Sequence, residues 1–362
     1  MRNILVLCGL LLIMIPAPAF AAWKDIHVMV KHPATYPLPG VKRLAIVNFR
    51  STTGRYGELV SSELQKTLFQ GKVFDILDRS EMDRIGQEQK LTMDGIVDER
   101  TASEAGHALG VQALVFGNID DATRVFDEQL LTQIEKYNEA GEKYVANCPT
   151  VVRHALLGVT FKVVDVGSSR VLAHFHQTYK VDQKHVNDPN PKHTWYPPNT
   201  NAIARMLLAN PFAESVDLTP TEELQQKLAA QAAVDFAHQI APYDAQETIR
   251  FDTVIGDINN AILNLLNVGM GAKASEALEQ QVPTIEQSKG FNEHKKAALY
   301  YDCGVLHEVL GDLDGASSWY TKAVMVDPGH LDPVIRGAVA SLQVKISAQK
   351  ELQNQMQQQE TH

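Results

Sequence analysis

Leu44-Ala45-Ile46-Val47 forms a nearly continuous apolar run within residues 41–50, and no other feature constrains the fold of this chain as strongly. A strand with one face in water alternates apolar and polar residues; an unbroken run fits a strand covered on both faces, usually by helices. The neighbouring segments supply those helices. Val60, Leu64 and Leu68 fall at i, i+4 and i+8, one stripe of an amphipathic helix that Gly71 ends. Residues 73–77 read as a second strand. Ser80 with Asp83, and Thr101 with Glu104, have capping-box spacing; they predict a helix through Met82 and Ile85 and another closing at Gly110. Residues 113–116 form a third strand. The predicted order is strand, helix, strand, helix, helix, strand, a layered α/β fold.

Extended hairpins follow. Residues 124–137 and 143–156 flank a turn at 138–141, and residues 159–166 and 170–181 flank a second at 167–169. Residues 182–200 are loop-like and rich in proline. Helical spacing returns over 224–240, and Pro242 closes a domain spanning 22–245, which includes a short alternating strand at Ile26, Val28 and Val30. From Phe251 onward the pattern is helical, giving a second, all-α domain over 250–348. Tyr300, Cys303, Gly304, His307, Ala316, Tyr320, Ala323 and Pro328 occupy the spacing of a tetratricopeptide repeat. One such repeat cannot stand alone and must pack on a neighbour. Residues 349–362 are a glutamine-rich tail, predicted to be a frayed helix or disordered.

The chain begins with a segment of another kind. Arg2 precedes an apolar run over residues 4–15, Pro16 breaks it, and Ala19-Phe20-Ala21 offers small residues to a signal peptidase. The run is too short to span a bilayer comfortably. Residues 1–21 are therefore expected to be a secretory signal, and Cys8, inside the run, is not placed for lipid attachment. The expected location is the periplasm, with association to the outer membrane peripheral at most.

Charge and motifs exclude several functions. With 33 Lys and Arg against 43 Asp and Glu, the net charge is -10, opposite to that of a phosphate-backbone binder, so nucleic acid is not expected as a partner. Cys148 and Cys303 are too few for a disulfide scaffold, and either a bond or two buried thiols fits their spacing. No HExxH, CxxC or GxSxG segment occurs, and Gly54-x-x-Gly57 lacks the remaining residues of a phosphate loop. His174 and His176 share a strand face, with His154, His185 and His193 elsewhere, but a metal would need further converging ligands. No catalytic residue, cofactor or metal is predicted. Two sets of residues are expected to bind partners: Trp195 and Tyr196, aromatic anchors on an irregular segment, and Tyr301, Val305 and Glu308, on the helix that would line a tetratricopeptide groove.

The stretch from residue 39 to 120 resembles the CsgG family, the curli assembly and secretion component. Leu44-Ala45-Ile46-Val47-Asn48-Phe49, Gly54-Arg55-Tyr56-Gly57 and Phe74-Asp75-Ile76-Leu77-Asp78-Arg79 carry the likeness, with residues 88–91, 113–117 and 159–165 continuing it. The resemblance implies a CsgG-like layered α/β domain with extended β-hairpins, ahead of the tetratricopeptide-like helices. It also implies non-enzymatic assembly work at the bacterial outer envelope with other envelope proteins, and homo-oligomerisation. Members include lipid-anchored secretion pores, periplasmic proteins of flagellar outer rings and surface-attachment proteins; activators of peptidoglycan synthases carry a similar domain. A scaffold or adaptor is the expected role, with a secretion-channel subunit and a synthase activator as the alternatives. A channel would insert hairpins at 122–158 and 175–213. Neither face of residues 124–135 offers an apolar band, and a charge at mid-bilayer depth costs about 2–4 kcal/mol.

Overall fold

The computed structural model describes residues 23–52, 55–89, 98–252, 257–288, 290–326, 328 and 332–360. The signal segment, Gly54 and residues 90–91 lie outside them. Contacts divide the chain into two units, one of Lys31–Tyr243 with the residues from Glu351 onward, the other of the residues up to Val30 with Asp244–Lys350.

Strand β1 (Trp23–His32) comes first and belongs mostly to the smaller unit. The larger unit is built on β2 (Arg43–Ile46), α1 (Tyr56–Gly71), β3 (Asp75–Ile76), α2 (Arg79–Gln89), α3 (Glu99–Leu109) and β4 (Ala113–Ile119), with β2 parallel to both β3 and β4. The unbroken apolar run now has its reason. Leu44 and Ile46 enter one buried cluster with Val60, Leu64 and Leu68 of α1, while Ala45 and Val47 enter another with Met82 of α2 and Ala102, Ala105 and Leu109 of α3. Burying each such leucine contributes about 1.5–3 kcal/mol.

Both predicted caps shift. Asp78 Oδ1 accepts from the Ser80 amide at 2.7 Å, so Ser80 lies inside α2 rather than capping it. Asp98 caps α3, with Thr101 as its reciprocal partner, so Thr101 sits one turn in and Glu104 pairs with Arg100 instead. Gly110, at φ +66°, ends α3 as expected.

The hairpins prove to be one continuous ladder. β5 (Arg124–Tyr137), β6 (Lys143–Asp165) and β7 (Val171–Val186) follow β4, and β6 runs unbroken for 23 residues where two separate strands were expected. Its first half pairs with β5 and its second half with β4, both antiparallel, while β7 lies along its other side. Gly158, which looks like a strand break, is instead where the β4–β5 corner packs, since a Cβ there would sit 2.1 Å from Asp120 Oδ2. After α4 (Ala202–Leu207), helix α5 (Thr221–Ile240) covers the sheet beside α1, stacking Phe236 on Phe161 with ring centroids 4.3 Å apart.

The smaller unit is not all-α. β8 (Tyr243–Asp252) pairs with β1 in a two-stranded sheet, so the alternating Ile26 and Val28 pack with the second unit rather than the first. Helices α6 (Asp257–Asn267), α7 (Gly271–Glu286), α8 (Glu293–Val309), α9 (Leu313–Val326) and α10 (Pro333–Glu360) follow. α8 and α9 form the expected helical hairpin, drawn close at Gly304, where a Cβ would lie 2.4 Å from the buried Tyr320 ring. Within the glutamine-rich segment, residues 349–360 form the end of α10. Gln355 is buried, accepting from the Ala34 amide at 2.9 Å and donating to its carbonyl at 3.0 Å.

Candidate functional site

The far end of the β5–β6 hairpin is fixed by its own turn and by the chain that returns over it. Gly141, at φ +83°, closes the turn, and the Glu142 amide donates to Asn138 Oδ1 at 2.9 Å. Residues 187–216 then strap the hairpin. The Tyr137 amide donates to the Thr194 carbonyl at 2.7 Å, and the Asn187 amide to the Pro149 carbonyl at 2.8 Å. Beneath the strap lies a small apolar cluster of Ile134, Ala146, Cys148 and Val186, with Tyr144 and Phe212 against it. One charge is enclosed there. The Lys136 side chain has no solvent exposure and donates to Asp188 Oδ1 at 2.7 Å and the Asn190 carbonyl at 2.6 Å, with the Phe212 ring 5.4 Å from its ammonium. The Tyr144 hydroxyl is 2.7 Å from His193 Nδ1. Burial pushes the Cys148 thiol pKa up, so the sulfur is held as an inert thiol.

On this anchored strap sits an apolar surface that the described residues leave uncovered. Trp195 and Tyr196 are half-buried and meet edge to face at 5.2 Å, and the Arg205 guanidinium lies 4.6 Å from the centre of the Tyr196 ring. Asn201 caps α4, accepting from the Ala204 amide at 2.8 Å. The helix then presents Ile203 at 72%, Met206 at 88% and Leu207 at 82% exposure, with Leu208 following at 44%. Sequence reasoning found the aromatic pair and missed these four. Their signal was present: Ile203, Met206 and Leu207 are spaced i, i+3, i+4 behind an Asn cap, in a stretch (residues 189–213) whose only charged groups are Lys192 and Arg205.

The second set of expected partner residues lies elsewhere and is not open. Tyr301 and Val305 are buried in the core of the smaller unit; the Tyr301 hydroxyl donates to the Arg250 carbonyl at 2.6 Å and its ring stacks on Tyr320. Glu308 is nearly enclosed, accepting from Tyr320 at 2.6 Å and from Lys345 of α10 at 2.6 Å. α10 and β8 supply contacts where a free groove would have been, so these three residues hold the unit together rather than lining a docking face.

The remaining candidates disperse. His154 hydrogen-bonds Asp182 at 2.8 Å, which raises its pKa against partial desolvation, while His176 faces Thr160, His185 the Val216 carbonyl and His193 Tyr144. Among the described residues no group of three or more His, Cys, Asp or Glu side chains is placed to hold a metal ion. Cys148 and Cys303 are free thiols in different units. A cavity of about 640 Å³ opens at the carboxyl ends of β2 and β4, lined by Arg50, Arg55, Glu58 and Asp121 among others, so its charge is mixed. Gly57 lines it because a Cβ there would lie 2.0 Å from the Phe49 carbonyl oxygen, a packing role rather than a phosphate cradle. No described helix is long and apolar enough to cross a membrane.

No curated protein matches this chain. Among solved structures, the LpoB C-terminal domain from Salmonella enterica is similar at 11% identity and a TM-score of 0.25, covering 40% of this chain and 87% of that one. A PelC dodecamer from Paraburkholderia phytofirmans is similar at 12% identity and a TM-score of 0.27, covering 60% and 99%. The family model for the curli production assembly/transport component CsgG matches residues 39–187. That interval runs from the segment before β2 to the end of β7 and contains the whole cluster around Ala45 and Val47, while the cluster around Leu44 and Ile46 also draws on α5 beyond it, so residues 39–187 are similar to a CsgG domain.

Proposed function

We propose that this protein is a non-enzymatic scaffold or adaptor of the bacterial outer envelope, exported to the periplasm, and that it works by docking another envelope component and by self-association. One observation carries the docking reading: Ile203, Met206, Leu207 and Leu208 stand in solvent beside Trp195 and Tyr196, on a strap that a buried ion pair fixes to a rigid hairpin. Contiguous exposed apolar side chains on an anchored support are expensive unless a partner covers them, and aromatic neighbours with an arginine are the usual energetic centre of such contacts. The CsgG-like domain at residues 39–187 supports assembly work as the setting. We read α8–α9 as a tetratricopeptide-like hairpin, supported by the close approach of Gly304 to Tyr320.

The channel reading is less well supported. β5 and β6 carry Asp127 bound to Arg153 at 2.7 Å on one face, and His154 between Glu128 and Asp182 on the other. Placed at mid-bilayer depth, each charge would cost about 2–4 kcal/mol.

A photo-crosslinking residue at Met206 of the full chain in cells tests the docking reading, with exposed Lys66 as the control position. The expected result is a discrete adduct at position 206 that mass spectrometry identifies as an envelope protein, and that weakens when Trp195→Ala and Tyr196→Ala are added. Equal labelling at both positions, or adducts to lipid alone, would overturn it.

A further inference from the structure

A second cavity, of about 470 Å³, shares Arg55 with the mixed-charge one and opens where the first turns of α1 and α5 meet the start of β5. Its size lies within the range of small-molecule pockets, about 300–1,000 Å³. Two arginines line it. Arg55 stands at the N-cap of α1, and Arg124 opens β5 with its guanidinium 4.8 Å from the centre of the Phe126 ring. Neither guanidinium has an ion-pair or hydrogen-bond partner among the described residues. Nearby cations are committed: Arg79 is held by Glu58 and Ser61, and Arg153 by Asp127.

Tyr56 forms part of the same wall. It is 4% exposed, and its hydroxyl faces Gln225 without a hydrogen bond of good geometry. Burial raises the hydroxyl's pKa, so it stays a neutral donor. Buried donors without an acceptor are costly and correspondingly rare in folded chains. A guanidinium can only donate, so two of them beside such a hydroxyl call for an acceptor that carries negative charge.

The rest of the lining sorts the ligand. Leu59 and Val125 offer apolar contact, from which a bare inorganic ion gains nothing, and Gln225 and Gln226 offer amides. Glu222 is the one acid among the described lining residues. It penalises a second negative charge on the ligand, which favours a carboxylate over a phosphate dianion. We propose that this cavity binds a small organic carboxylate with an apolar substituent, the carboxylate between Arg55 and Arg124 and the substituent against Leu59 and Val125. The C-terminal residue of a peptide and a free organic acid share this chemistry. The site uses neither α4 nor its aromatic neighbours, so it stands or falls apart from the docking reading.

Thermal unfolding of the purified chain at matched ionic strength tests this with N-acetyl-leucine, its amide N-acetyl-leucinamide, and hexanoate. A ligand that binds only the folded state raises the midpoint progressively once its concentration exceeds Kd. The two acids should raise it, the stronger naming a peptide end or a free acid as the source, and the amide should not. Arg55→Gln with Arg124→Gln should abolish the rise. Lys66→Gln with Lys273→Gln, exposed and outside the lining, removes the same charge and should keep it. Glu222→Gln removes a like charge and should shift the dose response to lower concentration, a gain that a misfolded variant cannot show. Equal shifts by N-acetyl-leucine and its amide, an equal shift by inorganic phosphate, a rise that survives loss of both arginines, or no rise in the wild type would overturn the proposal.

Discussion

His307 stands between two carboxylates, with Nε2 2.5 Å from Glu279 and Nδ1 2.7 Å from Asp312. Burial alone would lower its pKa, but the hydrogen bonds to Glu279 and Asp312 and their charges outweigh that and raise it. A group whose folded pKa is raised stabilises fully below its unfolded value, about 6.5 for histidine, and loses that contribution as pH rises through the folded value. Thermal midpoints should therefore fall from mildly acidic toward alkaline pH more steeply in the wild type than in His307→Gln; parallel curves would contradict this. A second expectation concerns Gly304→Ala, which forces a Cβ toward the buried Tyr320 ring and should cost about 1–3 kcal/mol in chemical denaturation. At this scale the spacing of Gly304, Ala316 and Tyr320 was legible, because two close helices need small residues facing a large one. What covers Tyr301, Val305 and Glu308 was not, because the covering groups, Arg250 of β8 and Lys345 of α10, come from distant parts of the chain.

The strap over the hairpin tip depends on the enclosed pair of Lys136 and Asp188. Removing one partner of a buried ion pair leaves an uncompensated charge and costs about 3–5 kcal/mol, whereas replacing both with apolar residues of similar volume is often neutral. Asp188→Ala should therefore loosen residues 187–216 and expose Cys148. Since about 1.4 kcal/mol is a tenfold change in an equilibrium, thiol labelling of Cys148 should quicken by about a hundredfold or more, while Cys303, buried in the other unit, keeps its rate. Equal rates in the variant and the wild type would contradict the strap. At the scale of elements, β2, α1, α3 and β4 were legible because each is apolar where it meets a core on one face or both. β6 was misread as two strands because Gly158 looks like punctuation, although it serves the Asp120 corner of a neighbouring strand. β8 was missed because only Ile249 and Phe251 of its ten residues are buried apolar side chains, too short an alternation to stand out beside the helices that follow.

At the scale of the molecule, the sheet of residues 39–187 leads directly into the strap of residues 187–216. The strap carries α4 and its aromatic neighbours to the hairpin tip, where the α4 apolar side chains stand in solvent. The fold class was legible because a parallel sheet covered on both faces leaves continuous apolar runs that few other folds require. The docking helix was not, because a six-residue helix is too brief for periodicity to distinguish from loop. The most direct test is to fractionate the cell envelope, wash it with high salt in the absence of detergent, and size the extracted protein. The account predicts release by salt alone as a folded species larger than a monomer. Protein that remains in the outer membrane until detergent is added, and then runs as a large salt-resistant complex, would contradict it and favour a channel.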